Sequence, residues 1–225
     1  MIIEKYPYHE LKRTKVNGRR LYATETGPLP SVTTILDKTK PQENVEALNN
    51  WRKRVGHSEA ARITKEAAGV GTIMHDCLEQ WVLKDSYETG KNMVHLVAKR
   101  MADTVIENIE GELHEAWGTE VGLYYPGLYA GTTDLVGTWK GQPAIMDFKQ
   151  TNRPKKREWI EDYFMQGAAY GMAHNALFGT EIKTVAIFMC SRDCEFQLFE
   201  VTGDEFDHYT QKWAERVGEY YELDK

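Results

Sequence analysis

Residues 131–149 read GTTDLVGTWKGQPAIMDFK, and their reading decides the fold. Residues 135–139 are apolar and β-prone, Lys140 and Gly141 supply turn chemistry, and residues 143–148 form a second apolar run. The spacing predicts two short strands folded into a hairpin. Asp134 opens the first strand, while Asp147 and Lys149 end the second. Strand side chains alternate between faces, so Asp147 and Lys149 share one face and Phe148 points the other way, into the core. In a hairpin the start of one strand lies beside the end of the other. Asp134 is therefore expected next to Asp147, with the Lys149 ammonium beside both.

Two adjacent carboxylates raise each other's pKa unless a cation sits between them. Oxygen ligands suit a hard divalent cation, Mg²⁺ or Mn²⁺. Lys149 could then orient or deprotonate an attacking water, or balance negative charge in a transition state. A plainer reading exists, with Asp134 in a turn and Asp147 and Lys149 at a solvated strand end. For an isolated Asp-x-Lys that reading wins, because the tripeptide is common.

The context decides between them. Gly71 and His75 stand four apart in a helical stretch upstream, and Gln166 and Tyr170 stand four apart in another downstream. Asp134, Asp147 and Lys149, with a helix before and after, resemble the PD-(D/E)xK nuclease superfamily. The RecB-like exonuclease branch carries a Gly-x-x-x-His helix upstream and a Gln-x-x-x-Tyr helix downstream, in the order found here. Residues 30–36, PSVTTIL, resemble the opening of mitochondrial genome maintenance exonuclease-like proteins and their phage relatives.

This resemblance implies an α/β fold: an αβββαβ restriction-endonuclease-like core over about residues 58–202, with added N-terminal and inserted helices, in one nuclease domain spanning 1–225. It implies Mg²⁺ or Mn²⁺ held by Asp134, Asp147, the Phe148 backbone carbonyl and His75, with Lys149 positioning water and Gln166 and Tyr170 beside the reacting phosphate. Glu120 is a further candidate ligand, or else an exposed strand residue. Ser31, Thr33 and Thr34 either lie near the nucleic-acid path or only cap a helix. The activity implied is an exodeoxyribonuclease on single-stranded or frayed DNA ends in replication, repair or recombination, with replication or recombination proteins as partners. The alternatives are a flap or junction endonuclease with the same centre, and a catalytically silent DNA-end-binding subunit. Some relatives hold a four-cysteine iron–sulfur cluster; Cys77, Cys190 and Cys194 cannot supply four ligands, so no such cluster is expected.

The 225 residues suffice for one domain with a full core. The net charge of −6 argues mildly against a nucleic-acid partner, although a local basic patch overrides a global average. An odd number of cysteines does not suit a disulfide framework. No apolar run approaches the roughly 20 residues that a membrane helix needs. The first fifteen residues lack the apolar core of a signal peptide and the acid-poor character of a transit peptide. A cytoplasmic protein of a bacterium or phage-infected host is expected, with a mitochondrial location left open.

Working outward, Asn17-Gly18 predicts a hairpin turn between 11–16 and 19–24, and Pro30 and Ser31 suit a helix start. A helix over 43–57 carries Trp51, Arg52, Lys53 and Arg54: either a base-stacking aromatic among phosphate-binding cations, or a core Trp beside a solvated face. A long helix over 58–85, capped by Ser58, places Gly71, Met74, Leu78 and Val82 on one buried stripe. A helix over 92–110 buries Val94, Val97, Met101, Val105 and Ile109. The helices at 43–57 and 92–110 are expected to build a wall or arch beside the site. Strands follow over 113–117 and 119–125. Arg153, Lys155, Lys156 and Arg157 form a basic loop after the site strand, placed for phosphates. A helix over 158–177, strands over 182–190 and 195–201, and an amphipathic helix from Gly203 onward complete the chain.

Overall fold

The computed structural model describes residues 2–16, 19–84 and 86–223. In chain order the elements are β1 (Arg13–Val16), β2 (Arg19–Thr24), β3 (Gly27–Pro30), α1 (Val32–Lys38), α2 (Gln42–Val55), α3 (His57–Lys84) and α4 (Met93–Ile109). Then come β4 (Leu113–Tyr125), β5 (Tyr129–Trp139), β6 (Gln142–Thr151), α5 (Glu161–Phe178), β7 (Thr184–Ser191), β8 (Phe196–Thr202) and α6 (Gly203–Glu222), with a 3-10 turn at Arg157–Trp159 before α5.

The predicted hairpin forms. β5 and β6 pair antiparallel with Trp139 opposite Gln142, around Lys140 and Gly141 at φ of 49° and 76°. Two successive positive φ values make the two-residue turn that matches strand twist, and a glycine at the second position meets one of them without a Cβ penalty. β4-β5-β6-β7-β8 is the strand order of a five-stranded sheet, antiparallel except between β6 and β7. A parallel pair needs a crossover, and α5 provides it. The sequence of α3, β4, β5, β6, α5 and β7 is the αβββαβ restriction-endonuclease-like arrangement.

Apolar side chains fill both sheet faces. One layer joins Ile35 of α1, Phe164 of α5, Val185 of β7 and Trp213 of α6, all fully buried. The other joins Met74 and Leu78 of α3 and Met101, Val105 and Ile109 of α4 to Leu135, Met146 and Phe188. Each such side chain stabilises the fold by about 1.5–3 kcal/mol relative to exposure. Gly167 lets α5 approach β7 closely, since a Cβ there would overlap the Val185 side chain.

Several expectations change. The helix at 92–110 is no arch: α4 packs against α3 and β7 as part of the second layer, because its small and apolar side chains Ala98, Met101, Ala102 and Val105 form one buried stripe. Val94 lies off that stripe and is exposed, while Val97 is partly buried against it. α2 does stand apart; none of its residues is buried, and it packs on α3. Ser58 does not cap α3, which starts one residue earlier, after Gly56 turns the chain with a φ of 88°. Gly71 is only partly buried and so flanks the stripe. The two strands expected before the hairpin are one, β4, made irregular by register shifts between Leu113 and Glu115 and between Ala116 and Gly118. Pro30 ends β3 and Ser31 then caps α1, as the helix start at this point predicts, while β1-β2-β3 make a small antiparallel sheet. The Asn17-Gly18 turn lies outside the described residues, but Val16 pairs with Arg19 across it.

Candidate active site

β5 and β6 pair only as far as Leu135 opposite Met146. Beyond that point the strands part, and the Asp134 side chain takes over the backbone partner: its Oδ2 accepts the Phe148 N–H at 2.8 Å. Asp134 and Asp147 are the next residues along the two parting strands, so their carboxylates meet in the opening. Asp147 is buried, and its Oδ2 is paired with the Lys149 ammonium. No hydrogen bond of ordinary geometry reaches that oxygen among the described residues. The other side of Lys149 faces the Tyr163 ring, with Nζ 4.9 Å from its centroid.

His75 enters from α3. Its Nδ1 lies 3.5 Å from Asp134 Oδ1, and its ring meets Phe148 edge-on at 6.1 Å. Gly71, one turn earlier, leaves room: a Cβ there would meet only Gln150 Cβ, at 3.9 Å. Packing within the protein therefore does not demand glycine at 71, and close approach by the Gln150 strand is not its reason.

Glu120, on β4, falls between the pairs Thr119–Leu135 and Val121–Thr133, opposite Asp134. Its φ of 48° is unusual for a residue with a side chain. One ligand atom each from His75, Glu120 and Asp134 lie within 4.8 Å of one another. The exposed-strand reading of Glu120 misses this: the residue is exposed and yet shares the cluster. Glu79, four residues after His75, accepts the Thr119 hydroxyl at 3.2 Å behind it.

The electrostatics describe a site short of positive charge. Burial pushes the Asp147 carboxyl up to about 6, against the pull of Lys149 and with the help of the Asp134 carboxylate. Desolvation, Asp134 and Glu79 push Glu120 up as well. Burial favours neutral Asp134, but His75, Lys149 and the Phe148 N–H together hold it below the usual carboxylate range. His75 and Lys149 are both desolvated, and the neighbouring carboxylates nevertheless raise them.

Gln166 and Tyr170 line up on α5, with Tyr170 buried and its hydroxyl held up by burial and near Gln166. A Cβ on Gly131 would stand 2.7 Å from that hydroxyl, so the glycine opens space for the tyrosine tip. Beside the cluster is a cavity of about 460 Å³ walled by Arg13, Tyr22, Glu120 and Thr132. The small N-terminal sheet thus forms a wall of the site.

The remaining candidates divide. Ser31 is buried and acts as the α1 N-cap, accepting the Thr34 N–H at 3.0 Å and bonding to the Thr33 and Thr34 hydroxyls at 3.1 and 2.7 Å. The capping reading accounts for it. Trp51 is half-buried, as are Val45 and Val55 of the same helix, beside exposed Arg52 and Arg54, so it is no core residue. Arg153, Lys155 and Lys156 are exposed. Arg157 is partly engaged within the fold: its Nη2 donates to the Glu200 carbonyl and to Glu205 at 2.9 and 2.6 Å, over the Phe164 ring. Tyr163 escaped sequence reasoning, although it precedes Gln166 by three residues and so shares its helix face.

No protein-family model matches the chain. A mitochondrial genome maintenance exonuclease 1 from Xenopus tropicalis is 26% identical over 211 residues, which cover 86% of this chain and 58% of that protein. The mouse and human proteins of the same name are 26% and 24% identical, over 88% of this chain and 60% and 59% of theirs. The chain is similar to the mitochondrial genome maintenance exonucleases. It spans about three fifths of the length of these relatives. A solved structure of a candidate exonuclease from Eubacterium rectale overlays 68% of this chain and 63% of its own at 14% identity and a TM-score of 0.47. No helix among the described residues is long and apolar enough to cross a membrane.

Proposed function

We propose that the protein is a divalent-metal-dependent exodeoxyribonuclease acting on single-stranded or frayed DNA ends, in DNA replication, repair or recombination. The observation that carries this reading is the opening between β5 and β6, where Asp134, Asp147 and Lys149 meet His75 and Glu120. Similarity to proteins named exonucleases supports nuclease activity.

The residues present fit a hard cation such as Mg²⁺ or Mn²⁺. His75, Glu120 and Asp134 bring an imidazole and two carboxylates within ligand reach of one point, and the Asp147 carboxylate, ion-paired with Lys149, lies beside them. Asp134, Asp147, Glu120 and His75 would hold it, with the Phe148 carbonyl as a further donor. Bound there, such an ion supplies Lewis acidity to a phosphoryl oxygen and raises the acidity of the attacking water. Lys149, steadied between Asp147 and Tyr163, holds that water by hydrogen bonding and offsets charge building on phosphorus. Gln166 and Tyr170 orient the phosphate from α5. Exposed Arg153, Lys155, Lys156, Arg52 and Arg54 grip the flanking backbone.

With α4 in the core, α2 is the one of those two helices left to flank a threaded strand, with the N-terminal sheet as a wall. That favours a flap or junction endonuclease as the second reading. Closed circular and linear single strands separate the two: progressive shortening of linear strands with circles resistant supports the exonuclease, and rapid nicking of circles supports the endonuclease.

A further inference from the structure

We propose that Trp159 is a stacking platform for one base of a bound single strand, held at the turn that opens α5, four residues before Tyr163. This rests on the nuclease reading for the strand's identity, while its geometry stands alone. Trp159 is 62% exposed, although a tryptophan offers one of the largest apolar surfaces that folding could bury.

Its exposure is not looseness. The Trp159 N–H donates to the Lys156 carbonyl at 3.0 Å. Arg157, two residues earlier, is tied to Glu200 and Glu205, and Ile160, one residue later, is buried. The chain on both sides is anchored, so the ring is held out by fixed backbone. A preorganised aromatic loses little entropy on binding.

The surroundings point to nucleic acid. Lys156 Nζ stands 5.4 Å from the ring centroid, and the side chains of Arg153 and Lys155 are exposed on the same short loop. Phosphate-binding cations around a flat aromatic are how single strands are held without regard to sequence. Glu158, 3.9 Å from Lys156, is the acid among them. The Ile160 carbonyl accepts the Tyr163 N–H at 2.9 Å, and the Tyr163 ring faces Lys149. The platform thus precedes by one helical turn the tyrosine that faces Lys149.

The test uses the full chain and a ten-nucleotide thymidine oligomer in EDTA, followed by tryptophan fluorescence. Binding should quench the emission, and Trp159→Phe should lose most of the quench while keeping most of the affinity. Trp159→Ala should weaken binding at least about fivefold, the low end for one stacked base. Because the side chain is largely exposed, both variants should keep the wild-type circular dichroism spectrum. A full quench in Trp159→Phe, or unchanged affinity in Trp159→Ala, overturns the platform. If the wild type cleaves the oligomer in Mn²⁺ while either result appears, the platform fails and the nuclease reading stands. If the wild type neither binds nor cleaves, both fall.

Discussion

Acidification should loosen the segment before β1, which carries Tyr6 and Tyr8, from α5, the helix that carries Gln166 and Tyr170. His174 of α5 is fully buried among Tyr6, Tyr8, Trp117 and Phe178, with Nε2 2.9 Å from the Tyr8 hydroxyl and Nδ1 2.7 Å from the Thr180 hydroxyl. Burial lowers its pKa to about 4, from 6.5. The folded protein keeps the ring neutral while the unfolded chain protonates it, so the unfolded state binds more protons between those values. Stability from this group is therefore present above pH 6.5 and falls as the pH drops towards 4. From 6.5 to 5 is about 1.5 pH units at ~1.4 kcal/mol each, a loss of at most about 2 kcal/mol. Urea unfolding at pH 7 and pH 5 should show the wild type losing about 1–2 kcal/mol more than His174→Gln, which cannot take the proton. Equal losses in the two proteins would refute the assignment.

Other outcomes follow from the site. Asp147→Asn should abolish cleavage by several orders of magnitude while leaving circular dichroism and the unfolding midpoint close to wild type; retained Mg²⁺-dependent cleavage would remove Asp147 from the chemistry. Lys149→Ala should lower kcat far more than DNA affinity, whereas replacing Lys155 and Lys156 together by Ala should weaken binding and flatten its salt dependence with kcat nearly unchanged, both read from kinetics at several salt concentrations. Gly131→Ala, which presses on the Tyr170 hydroxyl, should cut turnover with less than about 3 kcal/mol lost in stability; unchanged turnover would make Tyr170 a bystander.

The parts of the fold visible in the sequence are those with strong local signals. The β5–β6 hairpin has apolar runs on both sides of Lys140-Gly141, and α6 places Phe206, Tyr209, Trp213, Val217 and Tyr220 at helical spacing; all five are buried. The placement of Asp134 beside Asp147 follows from hairpin register alone. What was hidden depends on tertiary contact. The pattern of α4 told that it buries a stripe, but not against which strand, so its distance in sequence from the hairpin suggested an arch. Glu120 joins the cluster through a positive φ that its residue type does not announce. Arg157 looked like its basic neighbours, and only the Glu200 carbonyl and Glu205 across the fold distinguish it.

The most direct measurement is product analysis of an end-labelled linear single strand incubated with the wild type and with Asp134→Asn, each in Mn²⁺ and in EDTA. Asp134 holds the parting of β5 and β6 and touches His75, so the variant should keep its fold and lose the chemistry. The account predicts progressive shortening by the wild type in Mn²⁺ alone, and an intact strand in the other three reactions. Cleavage by Asp134→Asn at the wild-type rate, or by the wild type in EDTA, would contradict it.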